Sequence, residues 1–263
     1  MKSVELVPVA HQIKTGDIAN NIAPNVTEST IFTHNGEVLG FFVHCVSQDV
    51  AKVLKYANSE LLSERVPKTT MVRRTPLGTK NEAGAWEYFN VEQHSCILGA
   101  IPAKAHLRRP MPNISAVHRE QSAQNFIKAM LLLARKGEEL IKNIAPNIYD
   151  NQIKTLNAKV ADRFRFSKLF TSSISNFNIA APYHRDAANL PCVNIIFTTR
   201  KNSTGGNLTV PDYGLTFDCA NNSAIVYPAY RNLHRVTPIT PTKLGGYRNS
   251  LVFYALSGLS TKS

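Results

Sequence analysis

The chain has 263 residues, 43% of them hydrophobic, enough to bury a substantial core, which excludes wholesale disorder. Its 30 Lys and Arg against 18 Asp and Glu give a formal net charge of +12, pointing to nucleic acid, an anionic surface or acidic metabolites as partners. Four scattered cysteines without a CxxC pair exclude a zinc motif and a disulfide framework, and no apolar run nears the roughly 18 residues of a membrane helix.

Residues 3–10 are too short, and too broken by Glu5 and Pro8, for a signal peptide's apolar segment, so a soluble cytoplasmic protein is expected. Strands are predicted over 30–33 and 38–45, joined by Asn35-Gly36, a strong hairpin signal. From Asp49 the apolar residues take helical spacing, with Ser47 as cap and Pro67 as stop. Residues 65–119 are basic and turn-rich, with two short strands predicted around 86–91 and 96–101. This stretch suits either a grip on a nucleic-acid backbone or a solvated loop region, and Arg73 and Arg74 are candidate substrate contacts. His94, His106 and His118 have no acidic partner at metal spacing. A helix over about 120–145 carries an apolar stripe and ends at Pro146, with another short helix near 150–156.

From Arg163 the pattern is all-β. Strands are predicted over 171–179, 192–199, 207–211, 215–219, 224–227, 234–238 and 249–256, with turns at Gly205-Gly206, at 212–214 and at Gly245-Gly246. Many short strands so spaced argue for a barrel or a double-sheet jelly roll. The expected class is therefore α+β: a double-stranded β-helix (jelly-roll) core over 161–263, with N-terminal helices packed on its major sheet. An N-terminal helical and strand extension over 1–160 completes a single domain, 1–263.

Within the β region stand His184-Arg185-Asp186, then His234, then Arg248. Two imidazoles and a carboxylate can occupy one face of an octahedral Fe(II), the facial triad of non-haem iron oxygenases. His184 and Asp186 would project to one side of a strand, because side chains alternate with period two. Arg248 can hold a dicarboxylate through two parallel hydrogen bonds. No Asp or Glu follows Asp218, whereas Arg231, Arg235, Lys243 and Arg248 do, which favours a phosphate-bearing substrate.

These residues resemble the TET/JBP family of Fe(II)/2-oxoglutarate-dependent DNA base dioxygenases. The likeness runs through Phe170-Thr171-Ser172-Ser173, the segment from His184 to Asn189, and Thr204-Gly205-Gly206-Asn207-Leu208. It continues in the segment from His234 to Ile239 and the one from Arg248 to Tyr254. It implies His184, Asp186 and His234 as iron ligands and catalytic centre, with Arg248 and Ser250 on 2-oxoglutarate. Asn189 and Tyr254 fall where such enzymes contact the target nucleotide. Two residues beyond Tyr254, where cytosine-oxidising members place a base-reading His, this chain has Leu256. The resemblance implies O2 as co-substrate, DNA as partner, and hydroxylation of the 5-methyl group of a pyrimidine, 5-methylcytosine ahead of thymine. Because a duplex hides that methyl, the nucleotide would be flipped out or already single-stranded. Two other readings fit the same residues. One is a dioxygenase acting on RNA, a free nucleotide or a protein side chain, and the other is a non-catalytic nucleic-acid-binding jelly roll.

Overall fold

The computed structural model describes residues 1–18, 20–80, 82–104 and 108–259, with backbone alone at 75–80, 86, 87 and 89. His106 lies outside the described residues. Strand β1 (Lys2–Glu5) runs parallel to β2 (Thr30–His34), which turns into β3 (Glu37–Val43). Asn35 and Gly36 have φ of 53° and 77°, the left-handed pair that a two-residue hairpin needs to match strand twist. Helix α1 (Gln48–Leu62) follows. Ser47 takes the N-cap position, but its hydroxyl bonds the Asp49 carboxylate rather than a backbone amide.

The basic stretch is not a loop region with two short strands. It forms one long hairpin, β4 (Thr69–Lys80) and the 16-residue β5 (Trp86–Ile101). Residues 71–74 are all exposed, so no apolar alternation marked β4 in the sequence. Strand β6 (Asn113–Ile114) pairs with β5. Single helical turns at Val117–Arg119 and Gln121–Ala123 delay α2 (Gln124–Ile144). Pro146 ends that helix and opens α3 (Pro146–Lys159), longer at both ends than predicted, because proline's missing N–H costs nothing in a first turn.

Ten strands follow among the described residues: β7 (Ser172–Phe177), β8 (Ala181–His184), β9 (Asn194–Lys201), β10 (Ser203–Gly205), β11 (Leu208–Val210), β12 (Leu215–Phe217), β13 (Ser223–Tyr227), β14 (His234–Val236), β15 (Ile239–Pro241) and β16 (Tyr247–Tyr254). Strands β8, β10 and β15 have three or four residues each, too few for alternation to show in sequence. The large sheet has the order β1-β2-β3-β13-β9-β16-β7-β5-β4, and a four-stranded sheet has the order β12-β11-β14-β8. Strands from the first 101 residues therefore extend both edges of the large sheet rather than forming a separate layer.

Alternation along β16 decides what each face does. Leu251 and Phe253 enter the core formed with Met130, Leu133 and Ile141 of α2, and Ile195 and Phe197 of β9 do the same. An added Cβ at Gly137 of α2 would lie 3.2 Å from Ile195, so helix and sheet meet closely there. Removing one such ring, Phe253→Ala, costs roughly 3–5 kcal/mol. The opposite face of the sheet meets the four-stranded sheet through Phe32, Phe42, Ile225 and Phe217, with Phe217 edge-on to both Phe32 and Phe42 at centroid distances of 5.6 and 5.7 Å. This is a mixed α+β architecture with helices on one face of a large sheet and a smaller sheet on the other.

Candidate active site

His184 is the last residue of β8, and His234, the first of β14, lies directly across from it in the antiparallel ladder. Their rings are 4.2 Å apart between centroids. The carboxylate departs from the predicted placement: Asp186 lies past the strand end, fixed by its backbone N–H donating to Ala229 O at 3.1 Å. The three side chains still converge. His184 Nε2 is 3.6 Å and His234 Nε2 3.9 Å from Asp186 Oδ1, and one ligand atom from each residue lies within 4.8 Å of the others.

Both imidazoles are oriented from behind. His184 Nδ1 bonds Pro182 O at 2.8 Å, and His234 Nδ1 bonds Asn232 O at 3.0 Å. A carbonyl only accepts, so each Nδ1 carries a proton and each Nε2 is the ring nitrogen left to face the centre. Burial, with His184 adding to it, holds the His234 imidazole down at about 4, so it is neutral at physiological pH, as a metal ligand must be. The other carboxylate oxygen is engaged elsewhere: Asp186 Oδ2 accepts from Asn194 Nδ2 at 2.9 Å and from Asn189 Nδ2 at 3.4 Å.

A cavity of about 340 Å³ opens beside the triad, between the two sheets. Every second residue of β16 lines it: Arg248, Ser250, Val252 and Tyr254. Ile174, Asn176 and Ile196 cover adjacent floor, and Leu208 and Val236 face them from the small sheet. Arg248 is 1% exposed, and its Nε and Nη1 have no hydrogen-bond partner. A buried guanidinium without an acid is costly, and a bound carboxylate relieves it. The donor set therefore fits both groups. Two imidazoles and a carboxylate suit Fe(II), and an orphaned arginine across the same cavity suits a dicarboxylate such as 2-oxoglutarate.

The Tet_JBP family profile, the oxygenase domain of the 2OGFeDO superfamily, matches residues 102–257. The chain belongs to this family. Its cofactors are those of the superfamily, Fe(II) and 2-oxoglutarate. Among solved structures, NgTET1 in complex with 5mC DNA matches with a TM-score of 0.60 at 14% identity, over 94% of this chain and 84% of that one. A 2OG-Fe(II) oxygenase family oxidoreductase from Burkholderia pseudomallei matches at 0.44 and 13% identity, over 84% and 89% of the two chains. OsALKBH1 matches at 0.42 and 12% identity, over 82% and 96%. No curated protein matches the sequence significantly.

In this Tet_JBP domain the other candidate residues are placed unequally. Ser250 is buried beside Arg248 on the cavity face of β16. Tyr254 lines the cavity at the metal end, and burial, then the Asp186 carboxylate, pushes its phenol well above the usual range, so it stays protonated. Asn189 lines it too, but its amide nitrogen is committed to Asp186 and Asn194, leaving Oδ1 for the cavity. Leu256, 7% exposed, packs in an apolar cluster with Phe164, Leu190 and Leu259 rather than lining the cavity. Arg73 and Arg74 are not brought to the site. They lie on the edge strand β4 opposite Val91 and Asn90, beyond the level at which Asn249 pairs through Phe177 with His94. Asn90 is four residues past His94, which puts Arg74 about 13 Å beyond that level, away from Tyr254. Its guanidinium sits 4.1 Å over the Tyr88 ring.

Sequence reasoning missed Asn194 and Tyr227. Tyr227 presents its ring edge-on to His234 at 5.3 Å. Asn194 left a signal, an amide inside an otherwise apolar run, which must be satisfied by something specific. Tyr227 left none, since an aromatic in a buried strand reads as core.

Proposed function

We propose that this protein is an Fe(II)/2-oxoglutarate dioxygenase that hydroxylates the 5-methyl group of a pyrimidine in DNA, with 5-methylcytosine ahead of thymine. The observation that carries the proposal is the convergence of His184, Asp186 and His234 on one cavity that also holds the unpaired Arg248. We read the facing sheets as a double-stranded β-helix. Because residues from both halves of the chain build the same sheet, we read 1–263 as one catalytic unit.

His184 Nε2, Asp186 Oδ1 and His234 Nε2 would hold the iron, and Arg248 with Ser250 would hold the far carboxylate of 2-oxoglutarate. Bound together, the two supply the oxidation of a C–H bond to C–OH by O2, with 2-oxoglutarate going to succinate and CO2. The chain's own contribution is placement. Ile174, Ile196, Val236 and Val252 keep water off the floor of the cavity, and the carbonyls of Pro182 and Asn232 hold both imidazoles in one tautomer. Tyr254, a neutral phenol with an aromatic face, can stack on a flipped base and bond to it.

DNA as substrate is supported by the shared fold with NgTET1, whose structure contains 5mC DNA, and by the net charge of +12. The choice of base is supported by Asn189. Its uncommitted atom is an acceptor, which suits the exocyclic amino group of cytosine and not the O4 of thymine. Leu256 does not bear on that choice, because it packs with Phe164, Leu190 and Leu259 outside the cavity lining. The test is incubation with methylated and unmethylated DNA, Fe(II) and 2-oxoglutarate, followed by nucleoside mass spectrometry. A 5-hydroxymethyl product that disappears in His184→Ala and Asp186→Ala supports the proposal. Product formed equally by those variants removes the metal assignment, and absence of any oxidised pyrimidine removes the DNA assignment.

A further inference from the structure

Asn194 is 1% exposed within β9, a strand buried along most of its length. An amide is a poor choice there unless its polar atoms have partners, since an unbonded one costs several times what a hydrogen bond contributes. Both side-chain atoms bond to the metal-site region and neither to backbone. Nδ2 donates to Asp186 Oδ2 at 2.9 Å, and Oδ1 accepts from Asn189 Nδ2 at 3.1 Å. The direction of this relay is forced from one end. An ionised carboxylate only accepts, so Asn194 must turn its nitrogen to Asp186, and its oxygen is left for Asn189. Asn189 then has its own nitrogen engaged and Oδ1 free.

We propose that Asn194 is a positioning residue that makes Asp186 a ligand through one oxygen. It occupies Oδ2 and leaves Oδ1 pointed between the two Nε2 atoms, while Asn189 steadies Asn194 from the far side. Asp186 needs this support because it stands in a loop past the end of β8, without ladder neighbours to fix its side chain. Its backbone N–H bond to Ala229 sets the main chain only. A carboxylate otherwise free to rotate would lose orientational entropy each time it captured an ion, and the Asn194 bond removes that freedom beforehand.

The experiment is calorimetric titration of Co(II) alone into the metal-free protein, with the visible absorption of bound Co(II) recorded in parallel. Neither readout needs DNA, 2-oxoglutarate or turnover, so this proposal and the substrate reading fail separately. Asn194→Leu keeps the branching at Cγ and removes the donor; Asn194→Ser keeps a hydroxyl too short to reach Oδ2. Each is expected to bind Co(II) on the order of 10–100-fold more weakly. The absorption band should shift, while the melting transition of the metal-free protein stays near that of the wild type. Asn189→Ala, on a half-exposed turn, is expected to weaken Co(II) by a smaller factor, because its own contact with Asp186 is the longer one, 3.4 Å. The proposal is overturned by wild-type Co(II) affinity in either Asn194 variant that keeps its melting transition. It is also overturned by an Asn189→Ala protein indistinguishable from wild type in both affinity and spectrum.

Discussion

Replacing Arg248 with Met should remove most of the stabilisation by 2-oxoglutarate without destabilising the empty protein. Arg248 is fully buried, with Nε and Nη1 unpartnered, and an added Cβ at Gly206 would lie 3.0–3.3 Å from Ile239 and from the stem of Arg248. The guanidinium is thus held in place by packing rather than by an acid. Truncating one partner of a buried charge pair costs about 2–5 kcal/mol, and a loss of about 2.8 kcal/mol within that range corresponds to a roughly 100-fold weaker ligand. At a concentration 100 times its Kd, 2-oxoglutarate stabilises the wild type by about 2.7 kcal/mol. For a chain of this size that raises the melting temperature by about 5–10 °C. The variant at the same concentration would sit near its own Kd, gaining about 0.4 kcal/mol and about 1 °C. Without ligand, Arg248→Met should melt at or above the wild type, because a buried unpaired cation is replaced by an uncharged thioether that follows its aliphatic stem. The assay is thermal melting of the Mn(II)-loaded protein with and without 2-oxoglutarate. An equal ligand-induced shift in both proteins, or an empty variant several degrees less stable, would refute the reasoning.

Gly206→Ala places a methyl against Ile239 and Arg248 at φ +67°, so it should cost about 1–3 kcal/mol and raise the 2-oxoglutarate KM, read from succinate production. Burial lowers the pKa of both His94 and His118 from 6.5, so both are neutral in the fold. The unfolded chain binds their protons first, and stability present above pH 6.5 is lost as pH falls below it. The metal-free melting temperature should drop on that acid limb, and His118→Gln should flatten it; an unchanged limb would remove His118 as a contributor. Leu256→His buries an imidazole among Phe164, Leu190 and Leu259, and should lower stability by about 1–3 kcal/mol in urea denaturation. A variant as stable as the wild type would show that the site opens to water.

The strands carrying the cavity floor were legible because one face meets helices and the other meets the second sheet. The runs around Asn194–Lys201 and Tyr247–Tyr254 are accordingly rich in Ile, Val, Phe and Thr. The order His184, Asp186, His234, Arg248 was legible as chemistry, since few other purposes need those groups together. What could not be read was the path of the backbone between them. Strand β8 contains Pro182 and ends at His184, so the shared-strand geometry expected for Asp186 gives way to a loop held by Ala229. The hairpin of β4 and β5 was hidden for a different reason. Along β4 the side chains from Thr69 to Arg74 are all exposed, Met71 and Val72 next to Arg73 and Arg74 among them, so that stretch carries no period-two signal to pair with β5. The role of Asn194 depends on a neighbour eight positions earlier in sequence, brought round by a turn that composition does not encode.

Strand β8 is the border of the four-stranded sheet, and its outer side is closed by the beginning of the chain. Gly16 donates its N–H to Tyr183 O at 2.7 Å, and Tyr183 donates to Asp17 O at 3.1 Å. His11 reaches Asp212, whose other oxygen takes the N–H of Leu233, next to His234. The leading segment thus works as a splint for two of the three triad side chains, from roughly 170 and 220 positions away. Protease nicking near Lys14 should free the ion before it melts the helices. A fusion partner crowding that end should loosen the grip on iron with no change in the chemistry of the grip itself.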